Sequence, residues 1–272
     1  MLVERDRFSP ITYTYQAELL TSVQSDYQLI EVYQSADFGR ILVIDGVVQL
    51  TERDEYIYHE MLAHVPLHIH PDPQRVLIIG GGDGGLLREV ANHPGVQTVT
   101  LVEIDPEVVR TSKEWFPTVS TGFDHPKANV LFRDGKEYLE AASEQYDVIL
   151  VDSTDPIGSA VKLFEPGFYQ LAASRLSQPG VFACQSESIH FHLDTVREVQ
   201  KGLRTAFRQV DLITACIPTY PGNLWSFSIA SDQLELRGDP ISAKVTGRYY
   251  AEDVHRAAFL PPSLVEKLGL RD

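Results

Sequence analysis

Four stretches of this chain each end an apolar run on a carboxylate or a glycine loop. VLIIG (76–80) opens into Gly80-Gly81-Gly82-Asp83-Gly84-Gly85. TLVE (100–103) closes on Glu103, VLFRD (130–134) on Asp134-Gly135, and VILVD (148–152) on Asp152, with Asp155 following. Gly80, Gly82 and Gly85 have G-x-G-x-x-G spacing, in which glycine permits a tight turn and brings a ligand close to the backbone. Glu103 lies 23 residues beyond Gly80, where an acid can take the two hydroxyls of a ribose. This is a nucleoside-type signal, and the glycines alone do not separate NAD from an S-adenosyl compound. Asp83 bears on that choice: a carboxylate in the loop repels a diphosphate and suits a ligand that carries positive charge, such as a sulfonium with an amine. Its other reading is an N-cap for the next helix. Asp134 has the same two readings, a helix cap or an acceptor for an adenine amino group. Asp152 and Asp155 bracket Ser153-Thr154 ahead of Pro156, which disfavours helix before it, so these acids sit on a loop. Such a pair can hold a metal, cap a helix or work on an amine. No His or Cys cluster accompanies it, so no metal is expected.

These residues need a scaffold that brings strand ends together. From residue 75 the pattern alternates: strands at 75–80, 98–104, 129–134, 147–152 and 180–185, with helices to about 93, to about 115, over 136–142 and to about 176. Strands separated by helices imply βαβ units and a parallel sheet, and unalternating apolar runs fit strands buried on both faces. In such sheets ligands bind beyond the carboxyl ends of the strands, so the acids at four strand ends converge on one crevice. Two later strands, 210–217 and 224–231, flank a short Pro/Gly turn and read as an antiparallel edge hairpin. Before residue 65 the chain reads as β: 11–17, 27–34, and 40–50, where Asp45-Gly46 between apolar runs is a strong hairpin signal. Tyr58, Met61, Leu62 and Val65 form a helical stripe with Thr51 as the expected N-cap. The fold class is therefore α/β: a small N-terminal antiparallel β domain (1–65), then a domain (66–272) of mostly parallel sheet with helices on both faces.

Net charge is −15 with a pI near 5.0, which argues against nucleic-acid binding. No apolar run reaches the roughly 18 residues of a membrane span. The charged N-terminus lacks a signal-peptide core. Two cysteines give no disulfide framework, and a cytoplasmic setting is expected.

The chain resembles the spermidine synthases, the polyamine aminopropyltransferases. The resemblance rests on DGVVQLTERDEYIYHEMLAHVPL (45–67), VLIIGGGDGGLLREV (76–90), LVEIDPEVV (101–109), RDGKEYL (133–139), DVILVDSTDPIG (147–158), LFEPGFYQ (163–170), IPTYPGNLWSFSIAS (217–231) and RYYAEDVHRAAFLPP (248–262), in order along nearly the whole chain. It implies transfer of a 3-aminopropyl group from decarboxylated S-adenosylmethionine, a co-substrate, to an amine, usually putrescine, with no metal or redox cofactor and a homodimeric or homotetrameric assembly. It also implies that the second domain is Rossmann-like, and it implies roles. Gln28, Asp83, Glu103, Asp134 and Gly135 would bind the donor. Tyr58, His59, Asp83, Asp152, Asp155 and Tyr220 would bind the acceptor, with Asp152 as proton acceptor. Gln49 at the hairpin end and Glu187 after a strand are further candidates, and Trp225 reads as packing beside the acceptor channel. Ser159 departs from the proline common in the family after Asp-Pro-x-Gly, and serine adds backbone freedom.

Other acceptors (agmatine, cadaverine, 1,3-diaminopropane, spermidine) stay open at this level. A methyltransferase would use the donor carboxylate and would not want Asp83. A non-catalytic polyamine- or nucleoside-binding protein has no use for the Asp152–Asp155 pair. An NAD oxidoreductase meets the diphosphate objection.

Overall fold

The computed structural model describes residues 1–6, 9–154, 158–241 and 245–271, with backbone only for 158–160. The chain opens with a two-stranded antiparallel sheet, β1 (Leu2–Arg5) and β2 (Thr12–Tyr15). A four-stranded antiparallel sheet follows, β3 (Ala17–Gln24), β4 (Leu29–Ser35), β5 (Gly39–Ile44) and β6 (Val47–Thr51), in that order. Asp45 and Gly46 take φ of 50° and 81°, the left-handed turn the Asp-Gly pair predicts. The strand expected at 11–17 is split at Gln16 and continues as β3 to Gln24, and β1 had no clear sequence signal.

Helix α1 (Glu55–Ile69) comes next, and two expectations about it are corrected. Thr51 is not its N-cap: it ends β6, and its hydroxyl donates to Asp54, the residue in the cap position. Nor is α1 one-sided, since every residue from Ile57 to Ile69 is buried. Its polar side chains therefore need internal partners. Glu60 accepts the backbone N–H groups of Arg248, Tyr249 and Tyr250 at 2.7–2.8 Å. His64 meets Glu89 at 3.2 Å, and His68 bonds the His64 carbonyl at 2.7 Å. The helix runs unbroken through residues 65 and 66, across the boundary expected there, with Pro66 inside it.

The remaining chain forms β7 (Arg75–Gly80), α2 (Gly85–Asn92), β8 (Thr98–Glu103), α3 (Pro106–Trp115), β9 (Ala128–Phe132), α4 (Gly135–Ala141), β10 (Tyr146–Asp152), α5 (Pro166–Ser174), β11 (Leu176–Ser188), α6 (Leu193–Arg204), β12 (Gln209–Cys216), β13 (Leu224–Ser231), α7 (Glu252–Ala258) and α8 (Pro262–Lys267). The seven-stranded sheet has the order β12-β13-β11-β10-β7-β8-β9. Strands β11, β10, β7, β8 and β9 are parallel, and β13 is antiparallel to both neighbours. Helix α6 had no counterpart in the sequence reading.

Alternate residues of each central strand face opposite layers. Val76 and Ile78 of β7, with Val148 and Leu150 of β10, pack against α1 and α2. Leu77, Ile79, Ile149 and Val151 pack against Leu139 of α4, Phe168 and Tyr169 of α5, and Leu203 of α6. The strands thus need apolar side chains at every position, which is the run pattern in the sequence. The four-stranded sheet sits on α3 through Ile30, Val32, Leu42 and Ile44 against Val108 and Phe116. This contact holds the N-terminal sheet over the strand ends.

Candidate active site

Strand β7 lies between β10 and β8, so the chain leaves it in both directions and a crevice opens at the carboxyl ends. In open α/β sheets this switch point is where ligands bind. Gly80 and Asp152, the last residues of β7 and β10, are register partners across it. Gly80, Gly81 and Gly84 take φ of 82°, 71° and 86°, conformations that glycine adopts without Cβ strain. Gly82 and Gly85 are glycine for another reason, close approach. A Cβ on Gly82 would lie 2.9 Å from Glu103 Oε2, and one on Gly85 would lie under 3.0 Å from the His59 ring. Gly80 and Gly82 line the crevice, whereas Gly85 packs behind it as the start of α2.

Asp83 stands in the middle of this turn. Its Oδ1 accepts the Gly85 N–H at 2.7 Å and lies 3.2 Å from His59 Nε2. Asp83 is not the N-cap of α2, a position that Gly84 holds; its carboxylate ties down the turn ahead of the helix and lines the crevice. His59 Nδ1 is 2.6 Å from Glu55 Oε2, and Arg88 bonds both Glu55 oxygens, at 3.1 and 2.9 Å. Burial would depress the imidazole, but the Asp83 and Glu55 carboxylates on its two nitrogens outweigh this and raise its pKa to about 10. Burial likewise opposes ionisation of Asp83, and His59 with the Gly85 N–H overcomes it and lowers the carboxyl. The row Arg88–Glu55–His59–Asp83 alternates in charge and ends at the crevice wall.

Asp152 faces this row. Its Oδ1 accepts the Tyr58 hydroxyl at 2.6 Å, while Oδ2 is buried without a hydrogen-bond partner. Burial and the neighbouring Asp83 raise its pKa to about 6, against the opposing pull of His59 and Tyr58. Tyr58 meets Tyr220 edge-on with ring centroids 5.7 Å apart, and Tyr220 packs on Trp225 at 4.6 Å. Burial first, then the Asp152 charge, push both phenols well above their ordinary value, so they stay protonated donors. His59, Asp83 and Asp152 offer ligand atoms within 4.8 Å of one another. The imidazole is held protonated between two carboxylates, which makes it a donor and a poor metal ligand.

Glu103 ends β8 on the same crevice. Burial raises its carboxyl to about 7, against the backbone N–H groups of Asp105 and Ile104. Gln28 reaches the crevice from the N-terminal sheet, where its Nε2 donates to Asp105 Oδ2 at 2.9 Å. The same Asp105 caps α3 through Glu107 N–H and accepts Ser25 Oγ at 2.6 Å. Asp134 caps α4 with Oδ1, and its Oδ2 is 3.7 Å from Lys162 Nζ. Both Asp134 and Gly135 line the crevice, and the cap uses only one of the two carboxylate oxygens.

The crevice continues past Gln49, Tyr220 and Trp225 to Glu187. Glu187 is buried and holds a left-handed φ of 72°, a strained state for a non-glycine residue that recurs at functional sites. Its Oε2 is 2.9 Å from His192 Nδ1, and His192 Nε2 is 2.9 Å from Asp6 Oδ2. Glu4, Asp6 and His192 line this end, and sequence reasoning missed all three. They come from β1, the segment just after it and the start of α6, and no local pattern relates residues 186 positions apart. Asp155 lies outside the described residues, and only the backbone of Ser159 is described, in a 3₁₀ turn over Gly158–Phe164.

The family model described as the spermine/spermidine synthase domain matches residues 55–239, and the spermidine synthase tetramerisation domain matches 11–52. The polyamine aminopropyltransferase 1 of Aquifex aeolicus is 47% identical over 98% of this chain and 96% of its own. The polyamine aminopropyltransferase of Bacillus subtilis is 41% identical over 92% and 91%. The crystal structure of the spermidine synthase from Thermotoga maritima superposes with a TM-score of 0.89 at 33% identity, covering 99% of this chain and 94% of that one. A spermidine synthase in complex with the transition state analogue AdoDATO gives the same values. The chain belongs to the spermine/spermidine synthase family, the polyamine aminopropyltransferases.

Proposed function

We propose that this chain transfers the 3-aminopropyl group of decarboxylated S-adenosylmethionine to putrescine, giving spermidine and methylthioadenosine. The observation that carries this reading is the Asp152 carboxylate: one oxygen held by Tyr58, the other buried and unpartnered at the switch-point crevice.

A protonated amine has no lone pair, and amines of this class arrive mostly protonated, with a reference value near 10.4 for lysine. In this reading Asp152 Oδ2 takes the proton, and Tyr58, Tyr220 and Asp155 align the nitrogen. The freed lone pair attacks the carbon next to the sulfonium; the N–C bond forms as the C–S bond breaks. The leaving group is a neutral thioether, so no general acid is required, and positioning supplies much of the rate. The depressed Asp83 carboxyl suits the donor's ammonium, Glu103 the ribose hydroxyls, Gln28 the donor, and Asp134 with Gly135 the adenine. A carboxylate on the donor would face Asp83, an unfavourable contact that favours the decarboxylated compound. His59 keeps Asp83 ionised. Glu4, Asp6 and Glu187 give the far end of the crevice an acidic lining, which suits an acceptor with a second ammonium. Gln49 contributes its carbonyl, which accepts the Tyr220 hydroxyl.

We also infer a homo-oligomer, with putrescine and the donor as its small-molecule partners. Strand β3 is an edge of its sheet, and its Leu19 and Leu20 are 51% and 40% exposed within the segment that matches the tetramerisation domain. Among the described residues no helix is long and apolar enough to cross a membrane.

The test is methylthioadenosine release from decarboxylated S-adenosylmethionine across putrescine, agmatine, cadaverine, 1,3-diaminopropane and spermidine. Putrescine-dependent release is the expected result. A different best amine reassigns the acceptor, and donor binding without release for any amine overturns the transfer reading.

A further inference from the structure

The cap position of α1 holds an aspartate that does not cap. Asp54 makes no side-chain bond to its own helix, although an aspartate there ordinarily accepts an N–H of the first turn. Its carboxylate reaches instead to the loop between β12 and β13, 165 residues on. Oδ2 accepts both the backbone N–H of Thr219, at 2.9 Å, and the Thr219 hydroxyl. Oδ1 accepts the Thr51 hydroxyl at 2.6 Å, and the two threonine hydroxyls lie 3.3 Å apart. Asp54, Thr51 and Thr219 are 3%, 0% and 3% exposed, so water does not replace these bonds.

The residue after Thr219 is Tyr220. Its hydroxyl donates to the Gln49 carbonyl of β6, and its ring stands against Tyr58, the donor to Asp152. The rest of the loop is also held by the N-terminal sheets: the Tyr15 hydroxyl donates to the Thr219 carbonyl, and Gly222 N–H donates to the Tyr13 hydroxyl, both at 3.3 Å. Gly222 and Asn223 take φ of 73° and 59°, so the loop turns sharply just after the segment that the carboxylate grips at Thr219.

We propose that Asp54 is a positioning residue for the acceptor side of the reaction: by clasping Thr219 it fixes the Tyr220 ring against Tyr58 and thereby sets how the incoming amine meets Asp152. The proposal rests on the reading of Tyr58, Tyr220 and Asp152 as the acceptor wall. Asp54 itself does not line the crevice, and the donor side, built from Asp83, Glu103 and Asp134, makes no bond to it among the described residues. A change at Asp54 is therefore expected to act on the acceptor more than on the donor.

Steady-state kinetics of Asp54→Ala and Thr219→Val against the wild-type chain test this. The expected result for Asp54→Ala is an acceptor KM raised about tenfold, as displaced positioning groups cost rate or affinity, with donor KM unchanged. Thr219→Val, which keeps the N–H and loses only the hydroxyl, moves the acceptor KM in the same direction by less. The double variant is no worse than Asp54→Ala alone, because both act through one clasp. Equal rises in donor and acceptor KM, or an unchanged acceptor KM, overturn the proposal. A readout without turnover separates it from the transfer reading. Trp225 lies 4.6 Å from Tyr220, so in a Trp115→Phe background its emission reports the loop directly. Asp54→Ala is expected to shift that emission and increase its quenching by acrylamide. Unchanged emission overturns the clasp whatever the chain catalyses, and a wild-type chain inert with every amine overturns the reaction alone.

Discussion

Tyr58 donates its hydroxyl to Asp152 Oδ1 at 2.6 Å, and this bond leaves Oδ2 of the same carboxylate buried at the crevice without a hydrogen-bond partner among the described residues. The pair sets both the direction and the proton affinity of the proposed base. Asp152→Asn is expected to lower kcat on the order of 10²–10⁴-fold, the range for a positioned proton acceptor, with donor affinity retained. The sign of the pH dependence follows from the carboxyl, raised to about 6. Below that value it is protonated and cannot accept, so kcat/KM falls as pH drops through about 6. The Tyr58 bond opposes the rise, so in Tyr58→Phe the acid limb moves to higher pH. A pH–rate profile of both proteins checks this; an unmoved acid limb assigns it to another group.

Asp83 is held ionised by His59 on one side and the Gly85 N–H on the other. Asp83→Asn removes the charge at nearly constant shape. Activity is expected to fall, and the preference for decarboxylated over ordinary S-adenosylmethionine to narrow, since the like-charge penalty disappears. Competitive binding of the two compounds to wild type and variant measures it. An unchanged ratio excludes Asp83 as the discriminating group.

What could be seen in the sequence divides along a physical line. Strand ends and glycine turns are local: Gly80, Glu103, Asp134 and Asp152 follow apolar runs within a few residues, and the fold converts chain order into a shared crevice without further information. Residues placed by tertiary contact leave no such trace. Glu187 follows a strand and can be named, but its partner His192 and the Asp6 beyond it come from separate elements, and Asp54 reads as an ordinary helix start although its partner is Thr219. Helix α1 misled for a related reason. Its stripe of Tyr58, Met61, Leu62 and Val65 fits a one-sided surface helix, but the opposite face is buried too, and its histidines and glutamates are internal. Buried polar side chains with dedicated partners look in sequence like a solvated face.

Gly85 shows how a glycine in the motif can serve a neighbour instead of a ligand. A Cβ there would enter the His59 ring at under 3.0 Å. His59 is clamped between Glu55 and Asp83, so the ring has little room to retreat. Gly85→Ala is expected to cost about 1–3 kcal/mol of stability from overpacking and to disturb the His59–Asp83 contact. Gly167 is the control, because a Cβ there meets nothing within 4 Å. Thermal midpoints and activity of Gly85→Ala and Gly167→Ala are the comparison, and equal behaviour of the two removes the packing argument.

The histidines His64, His68 and His93 pack on one another behind the site and make a prediction about stability and not about turnover. His93 is fully buried against the His68 ring, 5.2 Å away, and its Nδ1 accepts Gly95 N–H. Burial, with the positive potential of His68, His64 and Lys127, lowers its pKa to about 3. The unfolded chain titrates this imidazole near 6.5. Between these values the unfolded state takes a proton that the folded state refuses, so the contribution of His93 is complete above pH of about 6.5 and is lost as pH falls below it. At pH 5 the loss is on the order of 2 kcal/mol. Glu4 and Glu103, with carboxyls raised to about 7, act in the opposite direction, so the pH trend of the wild-type chain alone is not diagnostic. The difference from His93→Gln is diagnostic, because the carboxylate contributions cancel between the two proteins. The thermal-midpoint gap between wild type and His93→Gln is expected to shrink, or change sign, from pH 7 to pH 5. A gap that stays constant with pH means that His93 is not held neutral in the folded chain.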